Sequence, residues 1–195
     1  MEASIRKLKR FLSEETQISA DNIRIDASLI TRKTIKKNRY LLTEGQVCNF
    51  IAYVVSGMFR SYYLKNGNEI ITSFFKENTL ACSFNSLVNR IPSVEFIEAL
   101  EDSDVLLLSY KNLNILYKTD SQWQLISRIL TEKECIYLAN RVSFLNFESA
   151  KIKYIHLLKE DPDLIKRVPV QHIASYIGVS RETLSRIRSH INFVT

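Results

Sequence analysis

Apolar and polar positions change rhythm twice along this chain. The opening stretch, MEASIRKLKRFLSEE, mixes apolar and charged positions as an amphipathic helix does and lacks the apolar core of a signal peptide. From about Tyr40 to Tyr110 the rhythm is that of strands. FIAYVVSGMFRSYYL is rich in β-branched and aromatic residues, and Gly57 punctuates it as a turn. KNGNE (Lys65–Glu69) predicts a hairpin, because asparagine followed by glycine tolerates the positive φ of such turns, and EIITSFF returns as the partner strand. SVEFIEAL and SDVLLLSY are two further strands around the turn-like EDSD. Many short strands with close turns predict a sandwich or a barrel-like roll.

Beyond Tyr110 the period becomes helical. SQWQLISRILTEKECIYLANRVSFLNF (Ser121–Phe147) has no glycine or proline. Trp123, Ile126, Ile129 or Leu130, Lys133, Ile136 or Tyr137, and Asn140 follow three- and four-residue steps. A helix of about 27 residues is about 40 Å long, more than one small β domain can cover. One face therefore predicts a second copy of the same helix, with Trp123, Ile126, Ile129, Leu130, Lys133 and Tyr137 as the seam of a homodimer. A second helix, Glu148–Asp161, follows, and Pro162 is expected to break the chain there.

The segment Val170–Ser189 has the parts that two steeply crossing helices need. Ala174 is the small contact residue, Gly178 sits in the turn, and Ile173, Ile177, Val179, Leu184 and Ile187 fall at buried positions. Ser180 is placed to cap the second helix. Arg181, Glu182, Ser185, Arg186 and Ser189 then share an outward side, starting at the end that enters a major groove. Arginine can pair with guanine O6 and N7, glutamate can accept from cytosine N4, and hydroxyls suit phosphates. Lys166 and Arg167, just before the motif, suit phosphates as well.

IGVSRETLSRI resembles the recognition segment of the Crp/Fnr family of bacterial transcription regulators, closely so at Ser180-Arg181-Glu182-Thr183 and at Arg186. The resemblance implies base-edge contacts from Arg181, Glu182 and Arg186, with Ser180 and Thr183 near the DNA backbone. It also implies the order of parts: an α+β chain with an antiparallel β-roll of the cyclic-nucleotide-binding kind, a long dimerisation helix and an all-α helix-turn-helix domain. The expected boundaries are 1–120, 121–147 and 148–195. Its partners would be a double-stranded DNA operator, a second copy of the chain and RNA polymerase. The family usually adds a β-hairpin wing after the recognition helix; here only NFVT follows Ile191, so the resemblance is to a wingless form.

Family members that bind a cyclic nucleotide carry a Gly-Glu pair for the ribose and, further on, an Arg-Ser or Arg-Thr pair for the phosphate. With Ala99 and Val105 held in strand register, Cys82-Ser83 stands in place of the first pair and Ser93-Val94 in place of the second. Arg90 is nearby but off position. A buried phosphate without its arginine is poorly compensated. Cys82, Ser83, Ser93 and Val94 are thus the candidate effector pocket. The expectation is no response to cyclic AMP, with another small molecule or none as the effector.

Composition narrows the alternatives. Of 195 residues, 46% are apolar, enough for a real core, and no apolar run approaches the ~20 residues of a membrane span. A net charge of +6 permits a polyanionic partner. From Lys166 onward the bases are Lys166, Arg167, Arg181, Arg186 and Arg188 against the single acid Glu182, whereas RKTIKKNR (Arg32–Arg39) reads as a solvated strand face. Cys48, Cys82 and Cys135 are dispersed, which suits reduced thiols in the cytoplasm and not an iron–sulfur cluster. His156, His172 and His190 all lie beyond the strand region, so neither a metal, a haem nor another cofactor is expected in the roll, and no enzyme activity. The alternative to a DNA reader is a small-molecule-binding roll whose degenerate helix-turn-helix acts through protein contacts.

Overall fold

A computed structural model describes residues 1–192. Helix α1 (Glu2–Thr16) is followed by strands β1 (Ile30–Ile35), β2 (Tyr40–Leu42), β3 (Phe50–Ser56), β4 (Phe59–Lys65), β5 (Asn68–Phe75) and β6 (Leu80–Ala81). A short helix α2 (Phe84–Asn89) precedes β7 (Phe96–Ala99) and β8 (Ser103–Ser109). Helices α3 (Tyr110–Thr119), α4 (Gln122–Phe147), α5 (Ala150–Glu160), α6 (Pro162–Arg167), α7 (Val170–Tyr176) and α8 (Arg181–Asn192) complete the chain. The strands form two four-stranded sheets, β1-β8-β3-β6 and β2-β7-β4-β5. The antiparallel roll, the long helix and the helical C-terminal part all follow the predicted order. Two compact units result, one of Met1–Tyr63 with Ser73–Lys133, the other of Leu64–Thr72 with the chain from Glu134 on.

The dense apolar runs of β3 and β8 have a simple cause: both faces of their sheet are covered. Side chains alternate across a strand. Ala52, Val54 and Val105 therefore turn into the roll, packing with Leu42, Phe59, Ile97 and Leu87 of α2. Tyr53, Val55 and Leu106 turn outward and meet Leu8 and Leu12 of α1, Leu116 of α3, and Trp123 and Ile126 of α4. Burial on both faces removes the polar half of the strand pattern. The Arg32–Arg39 cluster does behave as a solvated strand face: Arg32 pairs with Asp104 at its edge and Lys36 with Asp102, the latter pair largely in water.

Two turns depend on glycine. Asn66 and Gly67 both have positive φ (52° and 76°) and close the predicted β4–β5 hairpin. Gly57, at φ 91°, sits so close to Ser103 that an added Cβ would lie 2.1 Å from its Oγ. The Ser103 hydroxyl accepts from the Met58 N–H at 3.1 Å, so that approach fixes the turn between the two sheets.

One expectation holds and one needs correction. α5 ends at Glu160, just before Pro162 as expected; the proline is the first residue of α6, where its missing N–H costs nothing, and the Asp161 carboxylate caps that helix by accepting from the Leu164 N–H at 3.1 Å. The predicted dimer seam is largely used up inside the chain. Trp123 and Ile126 are 6% and 1% exposed in the core shared with α1 and the sheet, and Leu130 packs against the same cluster. The Trp123 Nε1–H donates to the Arg24 carbonyl at 3.2 Å, and Lys133 pairs with Glu15 of α1 at 2.7 Å. This face of α4 is occupied because α1 lies beside it. Leu125, Ile136 and Val142 stay exposed on other sides of the helix, and Ile129 is half-buried.

Candidate nucleic-acid interface

Helices α7 and α8 pack through Ile173, Ala174, Ile177 and Leu184, each at most 2% exposed. Val179 and Ile187, predicted with them, are half-buried. Gly178 supplies the turn with φ 75° and nothing within 4 Å of an added Cβ, so it is required for its backbone angle and not for space. Ser180 caps α8: its Oγ accepts from the Thr183 N–H at 3.2 Å and shares a hydrogen bond of 3.1 Å with the Thr183 hydroxyl.

The outward face is as the spacing predicts. Arg181, Glu182, Ser185, Arg186 and Ser189 are all exposed, and Thr183 is half-buried in the cap. Neither Arg181 nor Arg186 makes an ion pair among the described residues. Glu182 is held below the usual carboxylate range by its own backbone N–H and the Ser180 hydroxyl, with smaller help from Arg181 and Arg186. Its charge is thus fixed at the positive end of the helix. The Ser189 hydroxyl turns back to the Arg186 carbonyl at 2.8 Å. Lys166 is exposed at the end of α6, whereas the Arg167 guanidinium is engaged with Asp163 at 2.8 Å.

Other side chains that position α7 carry no sequence motif. The Ser175 hydroxyl accepts from the Ile71 N–H at 3.0 Å and donates to the Glu69 carbonyl at 2.8 Å, tying α7 to the tip of the β4–β5 hairpin. Arg141 of α4 lies 3.6 Å from the Tyr176 ring centroid and donates to the Tyr176 carbonyl at 2.9 Å. The Tyr137 and Tyr176 hydroxyls share a hydrogen bond of 3.0 Å, so Tyr137, assigned above to a dimer seam, serves α7. Burial raises the Tyr176 hydroxyl above its ordinary range, and neighbouring Tyr137 adds to the shift.

In the roll, Ser83 and Ser93 do come together, their hydroxyl oxygens 3.2 Å apart and both residues buried. The Ser93 Oγ also accepts from the Glu95 N–H at 3.0 Å. Val94 does not join them: it is 57% exposed, because the alternation that turns Ser93 inward turns Val94 outward. Cys82 packs against the roll's inner core. Arg90 is committed elsewhere, donating to the Cys48 carbonyl at 2.9 Å, bonding to Asn49 and lying 4.1 Å from the Tyr110 ring centroid. Sequence reasoning missed the buried pair Arg60–Glu98, joined across β4 and β7 at 2.6 Å with side chains 7% and 12% exposed. The expected lack of a wing falls on residues outside the described ones.

Residues 32–120 match the family model of the cyclic nucleotide-binding domain. No curated protein matches the chain in sequence. Among solved structures, FixK2 from Bradyrhizobium japonicum superposes with a TM-score of 0.72 at 22% identity, over 84% of this chain and 85% of that one. A transcriptional regulator of the Crp/Fnr family from Eubacterium rectale gives 0.70 at 17% identity, over 86% and 80%. The c-di-GMP-responsive global regulator CLP of Xanthomonas campestris gives 0.69 at 14% identity, over 98% and 92%. Residues 32–120 are thus similar to a cyclic nucleotide-binding domain, and the chain has the fold of the Crp/Fnr transcription regulators.

Proposed function

We propose that this chain is a sequence-specific DNA-binding transcription regulator of the Crp/Fnr type that acts as a homodimer and does not respond to cyclic AMP. The carrying observation is α8: a capped helix N-terminus with Arg181 and Arg186 exposed and, among the described residues, without an ion pair. Two exposed arginines that form no ion pair among the described residues pay desolvation only when a better acceptor arrives. Guanine O6 and N7 provide such an acceptor pair. Glu182, ionised beside them, accepts from cytosine and repels the acceptor edges of other bases. Lys166 serves a phosphate; Arg167 would first have to leave Asp163.

A dimer is supported by the apolar side of α4 that the chain leaves open. Leu125 and Ile136 are 41% and 63% exposed, and with half-buried Ile129 they follow helical steps on one face. A dimer formed through such faces would carry two recognition helices, for which half-sites about one helical turn apart are expected. The domain assignment follows: a roll over 1–120, the α4 seam over 121–147 and the DNA module over 148–195. The Ser83–Ser93 pair supports the absence of a cyclic nucleotide response, since it offers neither a cation nor a carboxylate.

The test is a competition titration on a selected operator and a scrambled duplex at two salt concentrations. Arg181→Ala should weaken operator binding by about 1–3 kcal/mol per half-site and scrambled DNA much less. Equal loss on both duplexes would make α8 a mere electrostatic clamp and overturn the reading.

A further inference from the structure

We propose that an apolar cavity on the outer side of the roll binds a small amphiphile, its short tail buried in the cavity and a cationic, hydrogen-bond-donating head in the cleft beside it. The cavity measures about 70 Å³ and lies between α1, the outward face of the β1-β8-β3-β6 sheet, α3 and the first turns of α4. Leu8, Leu12, Leu106, Trp123 and Leu130 are among its walls. It is separate from Ser83 and Ser93, which line no part of it.

The chemistry of the walls selects the tail. The two hydroxyls that reach the cavity are already paired: Tyr53 donates to Asn78 at 2.7 Å, and Ser127 bonds with Tyr117 at 2.5 Å. Nothing inside asks for water, and apolar cavities of this kind stay dry. A ligand therefore gains by filling volume. The space is several times the ~10–15 Å³ that one water needs on the same measure, room for a tail of about four carbons.

The rim selects the head. Asp26, Leu29, Leu116 and Trp123 line both this cavity and an open polar cleft. The cleft carries three carboxylates, Asp21, Asp26 and Asp120, against one cation, Arg24. Asp26 uses Oδ1 for the N–H and hydroxyl of Ser28, and Asp120 uses Oδ1 for the Gln122 N–H, which leaves Oδ2 of each for a donor. A tail held at Leu116 and Trp123 would place an attached ammonium group among these oxygens. Because Trp123 and Leu130 belong to α4, occupancy bears on the packing of that helix against the roll.

The test is a titration of the full chain, with methyl-labelled leucine and isoleucine, using n-butylamine, butyrate and ammonium chloride as probes. Saturable shifts at the Leu8, Leu106 and Leu130 methyls are expected with butylamine. Butyrate should bind about tenfold more weakly, and ammonium should leave these methyls unmoved. Leu130→Phe, which fills the cavity from a partly exposed position, should abolish the shifts, whereas Asp120→Asn should keep tail binding and reduce the preference for the amine. Absence of saturable shifts with butylamine, equal binding of butyrate, or undiminished binding by Leu130→Phe would each overturn the proposal. None of these readouts involves DNA, so the assignment stands or falls apart from the regulatory reading.

Discussion

Two isoleucines on one helix separate the chain's own core from the proposed dimer. Ile126 is 1% exposed and Ile136 is 63% exposed, ten residues apart on α4. Replacing Ile126 by glutamate removes a side chain packed among Leu8, Leu12 and Trp123. Truncation alone at such a site costs about 2–5 kcal/mol, and an unpaired buried carboxylate adds to it. Against a typical domain stability of about 5–15 kcal/mol, Ile126→Glu should leave the roll barely folded. Ile136→Glu acts elsewhere. Full burial of an isoleucine is worth about 1.5–3 kcal/mol, so its exposed two-thirds contributes about 1–2 per subunit and about 2–4 per symmetric dimer. At 1.4 kcal/mol per decade the dimer dissociation constant should rise about 30- to 700-fold, with the urea midpoint of the monomer unmoved. Sedimentation velocity over a concentration series, run beside urea melts, checks both halves. An Ile136→Glu protein that sediments as wild type would refute the α4 seam, and an Ile126→Glu protein that melts as wild type would refute the packing of α1 on α4.

Three further outcomes are expected. Cyclic AMP or cyclic GMP at millimolar concentration should not raise the melting temperature; a ligand at a hundred times its dissociation constant would add about 2.7 kcal/mol, so a shift of several degrees would refute the neutral Ser83–Ser93 reading. Arg60→Ala should cost about 3–5 kcal/mol in a urea melt by stranding Glu98, whereas Arg60→Met combined with Glu98→Leu should fall near wild type; equal losses would show that the charge pair is not the cause. Ser180→Ala should remove about 1 kcal/mol from the start of α8, read as faster amide exchange at Thr183, and unchanged exchange there would disprove the cap.

What the sequence made legible follows from how local each cause is. Gly178, the Ser180 cap and the apolar spacing of α7 and α8 act within about twenty residues, and each shows as a residue type at a fixed offset. The β4–β5 hairpin is equally local, resting on Asn66 and Gly67. The facing of α4 is not local. Trp123, Ile126 and Leu130 and, on another side, Leu125, Ile129 and Ile136 are equally apolar, so periodicity cannot rank the two faces. The choice is made by α1, more than a hundred residues earlier, through Leu8, Leu12 and the Lys133–Glu15 pair. Arg60 and Glu98 are hidden for the same reason: each looks like a surface charge until cross-strand register puts them opposite one another. Pro162 acts locally as well, its ring ending α5 and opening α6.

The effector position shows where register reasoning reaches its limit and geometry goes further. Counting along the strands placed serines where a glutamate and an arginine would bind ribose and phosphate, and that alone predicts a weakened site. In the fold the change goes deeper. Ser83 and Ser93 face each other at 3.2 Å, and Ser93 is also bonded to the Glu95 N–H, so the pair satisfies itself. Arg90, the nearest cation in sequence, is bound to the Cys48 carbonyl and Asn49 and stacked on Tyr110. A phosphate entering here would meet no free cation and would have to break hydrogen bonds to gain a donor. Each buried polar group left unpaired in that exchange costs about 1–3 kcal/mol. The proposed lack of a cyclic nucleotide response therefore rests on two observations together, the missing arginine and the closed hydroxyl pair. Restoring only the arginine, as Ser93→Arg, should not create cyclic nucleotide binding, because it removes a hydroxyl that Glu95 uses and still lacks the ribose carboxylate. Calorimetric titration of that variant with cyclic AMP checks this, and binding at micromolar concentration would show that charge alone had been missing.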